Sequence, residues 1–275
     1  MNDTTSTKKP KLRTVHVTVN AFTDISPQLR RITFTAPEIA HFPAQSAAAH
    51  IKVFLPRSGQ TMPSLPQLTD NGVVWPEPER KPIVRTYSVR ECRPMQQEID
   101  IEFVLHGEDS PAASFAKNVD IGQCIGISQP SPCSLPLDKG SYYFVGDCTA
   151  IPAIASQLEI LPKDVSGDVF IHVQEASHKL SLLKPPHVNL HWFVGDAETE
   201  YPRLVAAFRA LSLPTDNCFF WLAGENTLVT ELRRYVRREL DYDRRDIYAV
   251  PYWRVGFSEE QYHKERHKVM DEEPS

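Results

Sequence analysis

Arg85-Thr86-Tyr87-Ser88 is the stretch on which the fold of this chain turns, and two segments downstream belong with it: His106-Gly107 and Ser110-Pro111-Ala112-Ala113-Ser114-Phe115-Ala116. A guanidinium, an aromatic ring and two hydroxyls fall within four consecutive positions. Arginine brings a fixed cation whose forked donors match phosphate oxygens. Tyrosine brings a flat wall, and the hydroxyls or their backbone bring donors for the edge of a ring. Ser110-Pro111 reads as an N-cap followed by proline at the first helical position, so the free N–H groups of a helix over about Pro111 to Lys117 face an anion. Each part alone is ordinary: R-x-Y-S is a strand with an exposed face, and Ser-Pro starts many helices. Their order and spacing give the set its meaning. Strict alternation puts Arg85 and Tyr87 on one strand face and Ser88 on the other. Ser88 then works partly through its backbone, or the strand twists there.

Around this stretch the apolar residues recur with period two. Val15, Val17 and Val19 alternate with Thr14, His16 and Thr18; Ile32 and Phe34 with Arg31, Thr33 and Thr35. Ile51, Val53 and Leu55 follow the same rule, as do Ile99, Ile101, Phe103 and Leu105, and a further strand lies near Cys124 to Ser128. These are half-buried strands, and with so few helices between them they imply a closed or nearly closed antiparallel β-barrel. Pro56, Pro63, Pro66, Pro76, Pro78 and Pro82 break regular structure between two of the strands, which reads as a long surface loop.

Beyond Pro136 strands and helices alternate. Strands are expected at Tyr142 to Val145, Val169 to Val173, Leu190 to Val194, Phe219 to Leu222 and Ile247 to Val250. Helices are expected from Ile151 to Leu161, Tyr201 to Leu211 and Leu228 to Leu240. That order implies a doubly wound parallel sheet, which takes ligands at the carboxyl ends of its strands. Gly146-Asp147-Cys148-Thr149 and Ala223-Gly224-Glu225 fall there. The expected layout is a polar tail over 1–12, a barrel domain over 13–138, a nucleotide-binding-like α/β domain over 139–257, and a C-terminal helix and tail over 258–275. A cofactor would lie in the crevice between the two domains.

The chain has 275 residues, enough for two ordinary domains, with a net charge of -5. A pI near 6.1 argues against a general nucleic-acid binder. No apolar run is long enough to span a membrane, and the start lacks the apolar stretch of a signal peptide. The five cysteines are widely spaced without a CxxC pair, which argues against zinc, iron–sulfur and disulfide frameworks and makes a cytoplasmic protein with reduced thiols the expectation.

The three motifs together look like the flavin site of ferredoxin-reductase-type oxidoreductases. More narrowly, the chain resembles the siderophore-interacting proteins, FAD-containing ferric-siderophore reductases of that superfamily. The likeness runs from about Arg13 to Tyr262. It is carried by Arg85-Thr86-Tyr87-Ser88-Val89-Arg90, by Asp100 to Gly107, by Ser110 to Ala116, and by Val145 to Ala153. Trp221 to Glu225, Tyr252 to Gly256, and Glu259 to His263 complete the set. Ser110 stands where the family has glycine, Phe115 where it has tryptophan, and Cys148 where it has an acidic or polar residue beside the expected nicotinamide position.

The resemblance implies a function. Electrons enter FAD from NAD(P)H or from reduced ferredoxin and leave singly to the ferric iron of a bound siderophore. Iron bound through the siderophore then departs as Fe(II), a weaker partner for hard oxygen donors. No catalytic acid or nucleophile is needed, and a monomer is the expectation, although the sequence itself does not fix the oligomeric state. Arg85 is assigned to the diphosphate, Tyr87 to ring stacking and Ser88 to the ring edge. Thr86, Glu102, Val104, Ala112, Ala113 and Ser114 belong to the same cofactor site. His106 either contacts the flavin or caps the strand end. Gly146, Asp147, Thr149, Gly224 and Glu225 serve the nucleotide domain or, read from the residues alone, shape the turns after strands. Lys52 and Arg254 match basic family positions and are assigned to an anionic ferric siderophore, with Trp253, His263, Lys264 and Arg266 beside them. Read without the family, Lys52 and Lys264 are solvated faces. Glu175-Ala176-Ser177-His178-Lys179 offers neither an acidic ribose clamp nor an arginine for a 2′-phosphate, which keeps ferredoxin beside NAD(P)H as donor. Two other readings stand: a general NAD(P)H:flavin or ferredoxin-type reductase, and a non-enzymatic siderophore-binding protein, against which the intact Arg85-to-Ser88 segment counts.

Overall fold

A computed structural model describes residues 13–69, 72–105, 110–262 and Glu265. His106, His263, Lys264 and Arg266, assigned above from sequence, lie outside the described residues, as do residues 1–12.

The first half contains β1 (Thr14–Ser26), β2 (Leu29–Thr35), β3 (His50–Leu55), β4 (Gln67–Thr69), β5 (Gly72–Val74), β6 (Ile83–Arg93), β7 (Glu98–Val104), the helix α1 (Pro111–Lys117) and β8 (Cys124–Ser128). Six of these strands close into a barrel in the order β1-β2-β7-β6-β3-β8, with antiparallel neighbours. The period-two residues point inward: Val17, Val19, Ile32, Phe34, Ile51, Val53, Ile99, Ile101 and Phe103 form one buried cluster. Two expectations change. β1 runs on to Ser26 through irregular pairing near Ala21 and Ser26. Its second half is exposed, so burial leaves no periodic mark there. The proline-rich loop carries the small β4–β5 hairpin rather than being wholly irregular.

The acids that alternate with the barrel isoleucines are buried too. Asp100 is engaged by Arg93 and Thr33. Glu102 accepts from Arg31 Nε at 2.9 Å and Nη2 at 2.6 Å, with Arg90 Nε at 3.6 Å. The face expected to be solvated is instead an arginine–carboxylate layer. Deleting one partner of such a buried pair costs about 3–5 kcal/mol, because a buried charge is left unpaired.

The second half holds β9 (Ser141–Gly146), α2 (Ile151–Leu158), β10 (Ser166–Val173), β11 (His187–Val194), α3 (Ala197–Arg209), β12 (Cys218–Glu225), α4 (Asn226–Arg234) and β13 (Ile247–Trp253). The sheet is parallel, in the order β11-β10-β9-β12-β13. One face packs Tyr142, Phe144 and Trp221 against Ile151, Ile154 and Leu158 of α2, joined by Leu29 and Val104 of the barrel. The other packs Phe170, Phe220 and Leu222 against Leu204 and Phe208 of α3 and Leu228 and Leu232 of α4. Helices therefore cover both faces, as the alternating pattern implies. α2 ends at Leu158, three residues early, close to Pro162, which cannot continue a helix. α3 starts at Ala197, with four residues ahead of the apolar spacing. The last helix divides: α4 stops at Arg234 and a π-helical turn covers Tyr235–Glu239.

The halves meet directly. Arg90 on β6 donates to both oxygens of Glu159 just past α2, at 2.9 and 2.5 Å. The His50 ring lies 3.1 Å from the hydroxyls of both Tyr248 and Tyr252 on β13. No helix among the described residues is long and apolar enough to cross a membrane.

Candidate functional site

β3 and β6 set the register of the site. Pairing places Val53 opposite Arg85, Lys52 opposite Thr86, Ile51 opposite Tyr87 and His50 opposite Ser88. Lys52 Nζ donates to Thr86 Oγ1 at 2.7 Å, so these two residues share one strand face. Tyr87 shares the other with buried Ile51, and its ring lies 4.5 Å from that of Phe103, which in turn meets Phe115 at 6.0 Å. Burial pushes the Tyr87 hydroxyl far above its ordinary value, so it stays a neutral phenol. Ser88 is buried.

The donors of this strand are engaged by acids from beyond β13. Glu259 Oε1 accepts from the Thr86 N–H at 2.9 Å and the Thr86 hydroxyl at 3.0 Å. Arg85 Nη1 donates to Glu260 Oε1 at 2.8 Å, and its Nε lies 3.6 Å from Glu259 Oε2. Buried Tyr262 anchors this turn by donating to Asn226 Oδ1 at 3.0 Å. Burial holds the Glu259 carboxyl above its usual range despite Thr86, Arg85 and Lys52, whereas the hydrogen bond from Arg85 lowers that of exposed Glu260. In sequence these two acids were only part of a motif. Adjacent carboxylates opening a helical turn say nothing of the strand they will meet. Arg254 pairs with Glu265 at 3.1 Å and lies over the Phe257 ring at 4.6 Å.

At the carboxyl ends of β9 and β12 sits a second carboxylate group. Asp147, 1% exposed, accepts at Oδ1 from the Thr149 N–H at 2.8 Å and hydroxyl at 2.5 Å. Its Oδ2 accepts from the Glu225 N–H at 2.7 Å and the Trp253 indole N–H at 2.8 Å. Gly224 has φ +130°, and a Cβ there would stand 2.7 Å from Asp147 Oδ2; only glycine allows this approach. Gly146 is similarly confined by Ala150 and Ala223. Glu225 caps α4 by accepting from the Thr227 N–H at 2.5 Å. Asp147, Thr149, Gly224, Glu225 and Trp253 thus form one bracket. Trp253 keeps 37% of its surface exposed while its N–H is committed there.

The remaining sequence candidates are scattered. Glu102 lies in the arginine layer, and Val104 in the core between the halves. Ala112 and Ala113 are buried on α1 and Ser114 is exposed. Ser110 holds the N-cap position, but its hydroxyl makes no capping hydrogen bond. Gln28 is not among the residues singled out from sequence, and His178 enters there only within the Glu175-to-Lys179 stretch. Their Oε1 and Nδ1 are buried without a partner, and both line one cavity with Cys148. Burial, with Asp147 nearby, keeps the Cys148 thiol well above its ordinary value.

The donor set suits an anionic group with phosphate oxygens. One guanidinium, one amide N–H and one hydroxyl already hold carboxylate oxygens at 2.8–3.0 Å, and the same donors serve phosphate. Tyr87 supplies the neighbouring aromatic surface.

Known proteins resemble this chain across both halves. The profile described as the siderophore-interacting FAD-binding domain matches residues 18–133, and the profile described as siderophore-interacting protein matches 139–256. Ferric vibriobactin reductase ViuB of Vibrio cholerae is 37% identical over 254 residues, covering 90% of this chain and 92% of its own. The NADPH-dependent ferric-chelate reductase of Escherichia coli is 27% identical, covering 88% of this chain and 93% of its own. The crystal structure of the siderophore-interacting protein SipS from Aeromonas hydrophila superposes with a TM-score of 0.83 at 43% identity, over 94% of this chain and 99% of that one.

Proposed function

The chain belongs to the siderophore-interacting protein family, and from that premise we propose that it is an FAD-dependent oxidoreductase that reduces ferric siderophores and releases their iron as Fe(II). The observation that carries this reading is the Arg85–Thr86 donor pair beside Tyr87 on β6. When bound, FAD supplies the ability to accept two electrons and pass them on singly. Arg85 and Thr86 would hold its diphosphate, Tyr87 would offer the aromatic surface for its ring system, and Ser88 would serve the ring edge. Ala112, Ala113 and Ser114 of α1, together with Val104, would complete the cofactor site.

Lys52 and Arg254 receive the anionic ferric chelate, with Trp253 beside them. Lys52 is held next to Thr86 by a 2.7 Å hydrogen bond, so a chelate touching it lies beside the cofactor strand. The Asp147 bracket keeps the ends of β9, β12 and β13 in fixed relation for a donor dinucleotide. NAD(P)H is the favoured donor, supported by the NADPH dependence in the name of the Escherichia coli relative. We assign the cofactor to residues 13–138 and the donor to 139–257.

The test is turnover. Purified protein should carry flavin absorbance through gel filtration, and should consume NAD(P)H and deliver Fe(II) to a ferrous trap when given a ferric siderophore. Turnover with reduced ferredoxin alone would move the donor assignment. A spectrum that stays featureless after incubation with FAD would overturn the reading and leave a siderophore-binding protein.

A further inference from the structure

The turn after β13 makes contacts that the proposed reaction does not use. Glu259 and Glu260 occupy the donors assigned above to the FAD diphosphate, and the inference rests on that assignment. We propose that residues 258–262 are a tethered counter-anion, whose two carboxylates compete with the FAD diphosphate for Arg85 and Thr86 and so set how tightly the cofactor is held.

Three observations support it. First, both carboxylates lie on one cation: Arg85 is 2.8 Å from Glu260 and 3.6 Å from Glu259. Thr86 gives its N–H and its hydroxyl to the same Glu259 oxygen, at 2.9 and 3.0 Å. Carboxylate and phosphate oxygens draw on identical donors, so both cannot hold them fully at once. Second, the turn is pinned beside these contacts, with Tyr262 2% exposed and bonded to Asn226 at the start of α4. A short tether of this kind gives a competing group an effective concentration in the millimolar range. Third, both carboxylates reach solvent. Glu260 is 64% exposed and Glu259 30% exposed in their side chains, whereas Arg85 is 16% exposed. The competition calls for rotation of these two side chains toward solvent while Tyr262 stays in place.

The size of the effect follows from the exposure. A pair open to water contributes about 0.2–1 kcal/mol, which is at most about five-fold in affinity for Glu260. The half-buried Glu259 adds to that, so the pair together should change FAD affinity by roughly ten-fold.

The experiment is a titration of the full chain, stripped of flavin, with FAD, followed by flavin fluorescence. Glutamine keeps the shape of each side chain and one acceptor oxygen, replaces the other oxygen with an NH2 donor and removes the charge, and thermal melts confirm that each variant folds. Glu260→Gln should tighten FAD a few-fold and Glu259→Gln/Glu260→Gln further, while Arg85→Ala should weaken it. Hydrogen exchange supplies the second readout: the Thr86 amide should change its protection on FAD binding in the parent, and less so in the double variant. If Arg85→Ala weakens FAD but the glutamine variants leave it unchanged or weaken it, the counter-anion is overturned and the diphosphate assignment survives. If Arg85→Ala leaves FAD affinity unchanged, the assignment falls and the inference falls with it.

Discussion

Two carboxylate sites in this molecule use the same chemistry to different ends. At the end of β9, Asp147 receives four donors from its own chain and is 1% exposed. Beside β6, Glu259 and Glu260 contact Arg85 and Thr86 from the turn after β13. A carboxylate oxygen accepts about two hydrogen bonds, so Asp147 has no lone pair left for a ligand. The β6 donors hold two carboxylates that reach water, Glu260 at 64% side-chain exposure and Glu259 at 30%. The contrast separates scaffold from binding site more sharply than residue type does. Charge at a strand end counts toward ligand binding when its partners are replaceable, and toward architecture when they are saturated.

The largest effect expected from breaking this contrast is on the scaffold side. Asp147→Ala strands buried donors and should cost about 3 kcal/mol or more of folding stability. Thermal melts should fall by several degrees with or without ligand. A melt that is unchanged, with lost nucleotide affinity, would make Asp147 a ligand contact and erase the distinction. On the binding side, Arg85→Ala removes a charge-assisted contact worth about 1.5–3 kcal/mol, so FAD affinity should fall by roughly ten- to a hundred-fold while the melt of the flavin-free protein barely moves. Equilibrium titration beside a melt measures both.

Next come the substrate cations. Lys52→Ala and Arg254→Ala should each raise KM for an anionic ferric siderophore by up to about ten-fold and leave the flavin spectrum intact. Unchanged KM in both would favour a general flavin reductase.

The smallest effect concerns pH. Burial raises the carboxyls of Glu102 and Glu259. A raised acid binds its proton more readily folded than unfolded, so its contribution to stability is complete below the ordinary glutamate value and is lost as pH rises through the folded one. Glu102→Gln does not titrate. The melting temperature of this variant minus that of the parent should therefore climb as pH rises from about 4.5. A difference that is flat with pH would mean Glu102 titrates normally.

Most of the architecture was legible because burial writes itself into period. The barrel strands at Val17, Ile32, Ile51 and Ile101 and the parallel strands at Phe144, Ile171 and Leu222 each have their apolar residues where one or both faces are covered. Where neither face is covered, as in β1 from Asn20 to Asp24, hydrophobic pattern could not report a strand. The β6 motif was legible because an arginine, a tyrosine and two hydroxyls in consecutive positions carry their chemistry locally. The C-terminal acids were not: Glu259 lies 173 residues from Thr86, and nothing short of the fold joins them. The saturation of Asp147 was hidden likewise, since two of its donors come from residues 78 and 106 positions away.

The decisive measurement is a single turnover under anaerobic conditions. The purified flavoprotein is reduced, mixed with a ferric siderophore, and followed by its visible spectrum in the presence of a ferrous trap. Return of the oxidised flavin bands in step with trapped Fe(II), slowed in Lys52→Ala and Arg254→Ala, is the predicted result. Reduced flavin that persists beside an intact ferric chelate would contradict siderophore reduction by this chain.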